Sequence, residues 1–287
     1  MDGTTKPRGS PRRGDGLLEL AFRRDGCGRA VLRERRQRFP LRMTVPFQLD
    51  AQAPDMAFVY VQNPTGGVFA GDRLRIAVTA DAGARVHLTT QSATKLYRMD
   101  GGEAFQEIDL ALAEGAYVEH LPDPLIPHAG ARYRQRTRID LAPGAICVTG
   151  ETLAPGRRAH GERFAYDVVE LQTDVRRHGR QLCSETLHLE PARARPDRAG
   201  MLGDGDYLIT LFALAPERDA SALAAAMDIA LADTPGVRGA AGTLPSGAGS
   251  FARALAPDAP LAERALRAAW AAARWTLLGL QLGAPRK

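Results

Sequence analysis

The spacing of apolar positions changes character once along this chain, near residue 200. Before it, short runs alternate with period two. Arg73 to Ala80 (RLRIAVTA), Phe105 to Leu112 (FQEIDLAL) and Arg132 to Leu141 (RYRQRTRIDL) place apolar residues at alternate positions, as a half-buried strand does. Ala57 to Gln62, Phe164 to Val175, Gln181 to Leu189 and Tyr207 to Leu214 also read as strands, the last fully buried. Within residues 17–44 two strand patterns bracket Asp25-Gly26, a hairpin signal. The charged run Arg33 to Arg38 predicts a solvated strand face or a sheet edge. Beyond Leu214 the period lengthens. Leu223, Met227 and Leu231 recur every four residues behind Asp219, a good N-cap, and Pro235-Gly236 ends that helix. Gly242 to Gly249 reads as a loop and Ser250 to Leu255 as a strand. A second helix is predicted from Asp258–Pro260 to Gly279, with Leu266, Trp270 and Leu277 on its apolar stripe.

The strands carry a weak repeat. ADAGARVHL (80–88), LAEGAYVEHL (112–121) and LAPGAICVTG (141–150) each follow a strand with Gly-Ala and lead into another. Their glycines, Gly83, Gly115 and Gly144, are 32 and 29 residues apart. Regular strand–turn–strand units suggest stacked layers, although ordinary hairpins with glycine turns suit the same residues. The expected fold is mainly β: an elongated, stacked β-sheet or β-helix-like body with a small α/β C-terminal part containing two helices. The expected organisation is a disordered tail over 1–16 and one domain over 17–287. That domain divides into a β-rich body (17–200) and a strand–helix–strand–helix part (201–287).

Composition narrows the class. With 287 residues, 45% of them hydrophobic, the chain can build a substantial core. The net charge is +5, but arginines supply nearly all of it and are scattered, so nucleic-acid binding is not expected. Cys27, Cys147 and Cys183 are far apart and form no disulfide framework, which suits a reducing cytoplasm. No apolar run is long enough for a membrane span, and the basic N-terminus lacks the apolar stretch of a signal peptide.

No GxSxG elbow, P-loop, HExxH or dinucleotide-binding fingerprint is present, so an enzyme is not expected. Glu119-His120 and His128 bracket LPDPLIP, with Asp123 inside it. Imidazole and carboxylate at that spacing suit a borderline divalent metal, and equally a proline-stiffened loop with ordinary hydrogen bonds. Asp72, Glu151 and Glu162 fall in polar, turn-rich segments. Lys95 stands out as well. The chain has three lysines, and the other two, Lys6 and Lys287, lie at its ends.

Six segments carry a resemblance in their order and separation: NPTGGVFAGD (63–72), LTTQSATKLYR (88–98), LPDPLIPHAGARYRQ (121–135), GRRAHGERF (156–164), GTLPSGAGSFARAL (242–255) and WAAARWTLLG (270–279). Together they resemble the urease accessory protein UreD (UreH) family over about residues 17–280. The resemblance implies a non-catalytic chaperone of urease metallocentre assembly that binds apo-urease and a UreF-like partner. That partner recruits a UreG-like GTPase, and nickel(II) is held only transiently. It implies passage of nickel through an internal channel. By motif position the residues are Asp72, Glu151 and Glu162 as transient metal contacts and Thr90 and Lys95 as channel lining. Lys95 is then expected to pair with a buried carboxylate such as Asp72. The C-terminal elements and adjoining loops are the expected docking surface, and poor solubility without the UreF-like partner is expected. A β-solenoid adaptor with no metal role is the alternative.

Overall fold

Alternating short strands, read along the chain, become a two-sheet coil. The computed structural model describes residues 15–283. The residues predicted to form a tail therefore lie outside the described ones up to position 14, while Asp15 and Gly16 already belong to a strand. β1 (Asp15–Arg24) and β2 (Ala30–Arg38) pair antiparallel. Their turn is longer than a two-residue Asp-Gly hairpin. The Asp25 carboxylate accepts from the N–H groups of Cys27 and Arg29, both at 2.9 Å, and Gly28, not Gly26, takes the left-handed conformation at φ 82°. β2 forms the outer edge of its sheet, with Arg33 to Arg36 exposed, as the charged run predicted. Such an edge discourages pairing with another chain.

β3 (Arg42–Met43) and β4 (Ala57–Gln62) open the second sheet. From there the chain coils: β5 (Arg73–Ala80) lies in the first sheet and β6 (Arg85–Thr90) in the second, and β7 (Thr94–Leu96) links them along a third side. The next turn repeats this with β8 (Ala104–Leu112), β9 (Tyr117–His120) and β10 (Leu125–Pro127). A further turn supplies β11 (Arg132–Leu141) and β12 (Ile146–Leu153), and β13 (Val168–Arg177) begins the next in the first sheet. Each strand pairs in parallel with its counterpart one turn away: β5 with β8, β8 with β11, β11 with β13, β6 with β9, β9 with β12 and β7 with β10. β13 begins four residues later than predicted, and the proline loop at 121–128 contains β10.

The repeat glycines turn one corner of this coil. Gly83, Gly115 and Gly144 take φ of 64°, 63° and 67°, where a side chain is strained. The Gly83 N–H donates to the Glu114 carbonyl at 2.9 Å and the Gly115 N–H to the Pro143 carbonyl at 3.0 Å, so successive corners stack through their backbones. Alternation then does the sorting. Leu74, Ile76, Val78, Ile108, Leu110, Val86 and Leu88 face inward and form the core between the sheets. The outer face of the first sheet carries charged rows such as Arg36–Glu19–Arg75–Asp109–Arg138.

The C-terminal part continues the sheets. β14 (Arg180–Leu189) returns beside β13, and β15 (Tyr207–Leu214) pairs antiparallel with β12. α1 (Ala220–Ala232), β16 (Arg238–Thr243), β17 (Gly249–Ala256) and α2 (Ala259–Leu278) follow. Asp219 caps α1 by accepting from the Ser221 and Ala222 N–H groups; Asp258 caps α2 through Leu261, and Gly279 ends it at φ 66°. Both helices cover the outer face of the second sheet. Leu223, Met227 and Leu231 of α1 and Ala265, Ala269, Trp270 and Leu277 of α2 pack on Tyr117, Val148 and Leu211. β16 was not predicted: RGAAGT has neither alternation nor bulk. It forms by pairing with β17, and Asp228 of α1 accepts from its Ala241 N–H at 2.9 Å.

Candidate functional site

The inward faces of the two sheets are apolar along most of their length and polar in one band. Gln106 of β8 and Gln135 of β11 stand directly opposite each other on the first sheet. Facing them, β6, β9 and β12 contribute Thr90, His120 and Glu151. The Gln135 amide donates to the Glu151 carboxylate across the gap, and Tyr133 Oη donates to Gln135 Oε1 at 3.0 Å. His120 Nδ1 lies 3.1 Å from Thr149 Oγ1 on the neighbouring strand.

Burial sets the charge state of this band. It pushes Glu151 up to about 7; the Glu185 carboxylate adds to the rise, while Gln135 and Arg253 oppose it. Burial also lowers His120 to about 4, so its imidazole is neutral at pH 7. A cavity of about 30 Å³ is lined by Thr90, Gln106, His120, Asp123, Gln135 and Glu151. Through Thr90, Thr94 and Gln106 it adjoins a cavity of about 80 Å³ beneath the turn that follows Asn63. Through Thr89, Pro122, Asp123 and Thr152 it adjoins a cleft of about 530 Å³ between the second sheet and α2.

Of the sequence-predicted site residues, the fold brings Thr90 and Glu151 together around the central cavity. Asp72, Lys95 and Glu162 do not line it. Asp72 sits half-buried in a turn, where Oδ2 accepts from the Phe69 N–H at 2.9 Å and burial raises its pKa. Lys95 precedes the buried Leu96 on β7, so alternation turns its side chain out to solvent. Among the described residues no ion pair joins Asp72 to Lys95, which corrects the expected pairing. Glu162 is committed elsewhere: Arg157 grips it with two guanidinium nitrogens, the Ala129 N–H donates at 3.1 Å, and Arg157 holds its carboxyl at about 2. His128 packs edge-on to Tyr97, which stacks on Phe69. Among the described residues no three His, Cys, Asp or Glu side chains form a group able to hold a metal ion.

A second polar group was missed. Glu119 and His120 look like one pair in sequence, but adjacent strand residues face opposite ways. Glu119 points outward, under α2, and is 0% exposed. His87 Nδ1 lies 2.7 Å from its Oε2; Tyr117 Oη and Trp270 Nε1 donate to Oε1 at 2.5 and 3.0 Å. Arg274, 1% exposed, lies 3.7 Å from Glu119 and 2.5 Å from Asp50. Burial alone would raise the Glu119 pKa, but the bond and charge of His87, then Arg274 and Tyr117, bring it below the usual value. The available signal was Arg274 one turn beyond Trp270 on the alanine-rich face of α2.

Parallel two-sheet coils with a polar band between them and helices over one face define a β-coil scaffold with linked internal cavities. The chain belongs to the UreD urease accessory protein family, whose model matches residues 14–287. It is 37% identical over 263 residues to the urease accessory protein UreD of Mycolicibacterium gilvum (strain PYR-GCK), covering 92% of this chain and 95% of that one. It is 40% identical to UreD 2 of Streptomyces griseus subsp. griseus, covering 91% and 90%. It is 35% identical to UreD of Haloarcula marismortui, covering 97% and 92%.

Proposed function

We propose that this protein is a non-catalytic urease maturation chaperone, which docks on apo-urease with UreF- and UreG-like partners in the cytoplasm and passes nickel(II) toward the urease active site. The observation that carries this reading is the polar band and its linked cavities inside a member of a urease accessory family. Hydroxyl, amide and carboxylate oxygens replace part of the hydration shell of a divalent ion, and neutral imidazole suits nickel. A carboxyl with pKa about 7 exchanges its proton for a metal ion near neutral pH, so contact at Glu151 is reversible. Thr90 lines both internal cavities and would contact the ion between them. Asp72 and Glu162 lie outside the band, and Glu162 is already held by Arg157, so neither is assigned a contact on this route.

The test is co-expression with urease and the other accessory proteins. Thr90→Trp fills the junction of the two internal cavities, and Glu151→Gln removes the exchangeable charge. Both are expected to lower urease nickel content and activity several-fold while leaving the chaperone–urease complex intact in pull-down. Full activation by Thr90→Trp would overturn passage through this band. Intact activation without this chain would overturn the maturation role altogether.

A further inference from the structure

The cleft beside α2 has two aromatic walls, and one carboxylate holds both. His87, on β6, and Trp270, on α2, both line the cleft, and their rings meet there with centroids 5.4 Å apart. Each is bonded to a different oxygen of Glu119. His87 is fixed further by stacking on Phe58, with ring centroids 4.2 Å apart and planes at 14°. Trp270 is held on the helix side by the next turn, where Arg274 reaches both Glu119 and Asp50. Helix and sheet therefore meet at the fully buried Glu119, and Arg274 ties the segment around Asp50 to the same group. The same strand, β9, carries His120 on its other face, lining the central cavity. Thr89, two residues from His87, lines both that cavity and the cleft.

A core of this size does not require a buried charge to fix a helix. The apolar contacts of α1 and α2 already do so over several turns. Replacing a buried ion-pair network with apolar groups is often neutral or stabilising, so such a network is weak evidence for a stability role. What the Glu119 group adds is direction. Apolar burial is non-directional, whereas each hydrogen bond fixes a distance and an angle between helix and sheet.

We propose that Glu119 is a positioning residue that sets how far α2 stands from the second sheet, and so fixes the opening of the cleft at the outer end of the internal cavities. This rests on the nickel-passage reading for its functional consequence but not for its structural one. In this view the cleft is a mouth of fixed width, and loss of the carboxylate lets α2 ride away from β6 while the body stays folded.

The structural consequence has its own optical probe. The chain has two tryptophans, Trp270 in the cleft and Trp275, exposed on the same helix. In a Trp275→Phe background, Trp270 alone reports the cleft. Glu119→Gln is expected to shift its emission to longer wavelength and raise its quenching by acrylamide. Tyr117→Phe, which removes one bond to the carboxylate and keeps the charge, is expected to do the same to a smaller degree and serves if Glu119→Gln does not fold. Leu231→Ala, which damages the helix layer away from the cleft, is the control for lost stability. Unchanged Trp270 emission in both carboxylate-site variants, or an equal shift in Leu231→Ala, overturns the positioning role. A shift with unchanged nickel loading of co-expressed urease overturns its link to delivery, whereas failure of the Thr90→Trp test alone leaves the optical result standing.

Discussion

Glu151 and Glu119 are both buried carboxylates, yet their surroundings drive them in opposite directions. Glu151 has an amide partner and a nearby like charge, and its folded pKa of about 7 lies above the ordinary 4.5. The folded protein therefore holds a proton that the unfolded chain releases. That contribution to stability is whole below about pH 4.5 and is lost as pH rises through about 7. Glu151→Gln should accordingly be more stable than the parent at pH 8, by roughly 1–3 kcal/mol, and match it near pH 4.5. Thermal melts across that range check this, and parallel melting curves for the two proteins at every pH would refute it. Glu119 has the reverse sign: its lowered pKa gives stability above the unfolded value, lost as pH falls through the folded one. Sequence reasoning found Glu151 because its motif and turn context flagged it. It paired Lys95 with Asp72 because a lysine beside a cation route would repel the ion unless it neutralised a buried carboxylate. One alternation step on β7 decides the matter instead, placing Leu96 inside and Lys95 outside.

At the level of elements, the strands with clear alternation or a continuous apolar run were legible to within a residue or so: β4, β5, β8, β11, β14 and β15 all fall where the pattern put them. The two helices were legible too, because Asp219, Asp258 and Gly279 mark their ends in the sequence. β7, β10 and β16 were not. They are short or featureless, and each exists because a neighbouring strand offers a ladder to join. The glycine repeat was visible, but only the structure separates a coil corner from a hairpin turn. Its energetics are testable. A methyl group at Gly115 meets nothing within 4 Å, so Gly115→Ala should cost only backbone strain, about 1–2 kcal/mol. At Gly249, φ is 128° and an added Cβ would lie 2.2 Å from the Ala213 carbonyl oxygen. Gly249→Ala should therefore break the β15–β17 pairing and destabilise by clearly more. Urea unfolding of the two variants compares them directly; equal losses would contradict the structure.

Across the whole molecule, the two sheet faces and the β3 end differ in character. Charge rows solvate the outer face of the first sheet, and the helices cover that of the second. At the β3 end, Phe39, Val45, Phe47 and Leu49 remain exposed, and Val45 is 65% accessible. Scattered exposed apolar residues are ordinary, but four within eleven positions favour association when a partner is lacking. Val45→Ser combined with Phe47→Ser is expected to raise the recovered soluble fraction of the chain expressed alone, and to change it little when the proposed UreF-like partner is co-expressed. Gel filtration and pelleting measure both, and no gain for the isolated variant would place the cause elsewhere. Among the described residues no helix is long and apolar enough to cross a membrane.

The stacked glycine corners also govern where this architecture tolerates changes in length. Successive glycines are separated by 32 and then 29 residues, yet Leu88 and His120 stand opposite each other at the same offset from their own glycines. The mismatch appears only later in each turn, so that Ala104 comes to face Tyr133. All of the slack therefore sits along the third side, around β7 and β10. An insertion at a glycine corner would break the backbone rungs to the turns above and below it. The same residues added between β7 and β8 would bulge outward and leave both sheets in register. Within the coil, divergence in turn length is accommodated on that one side.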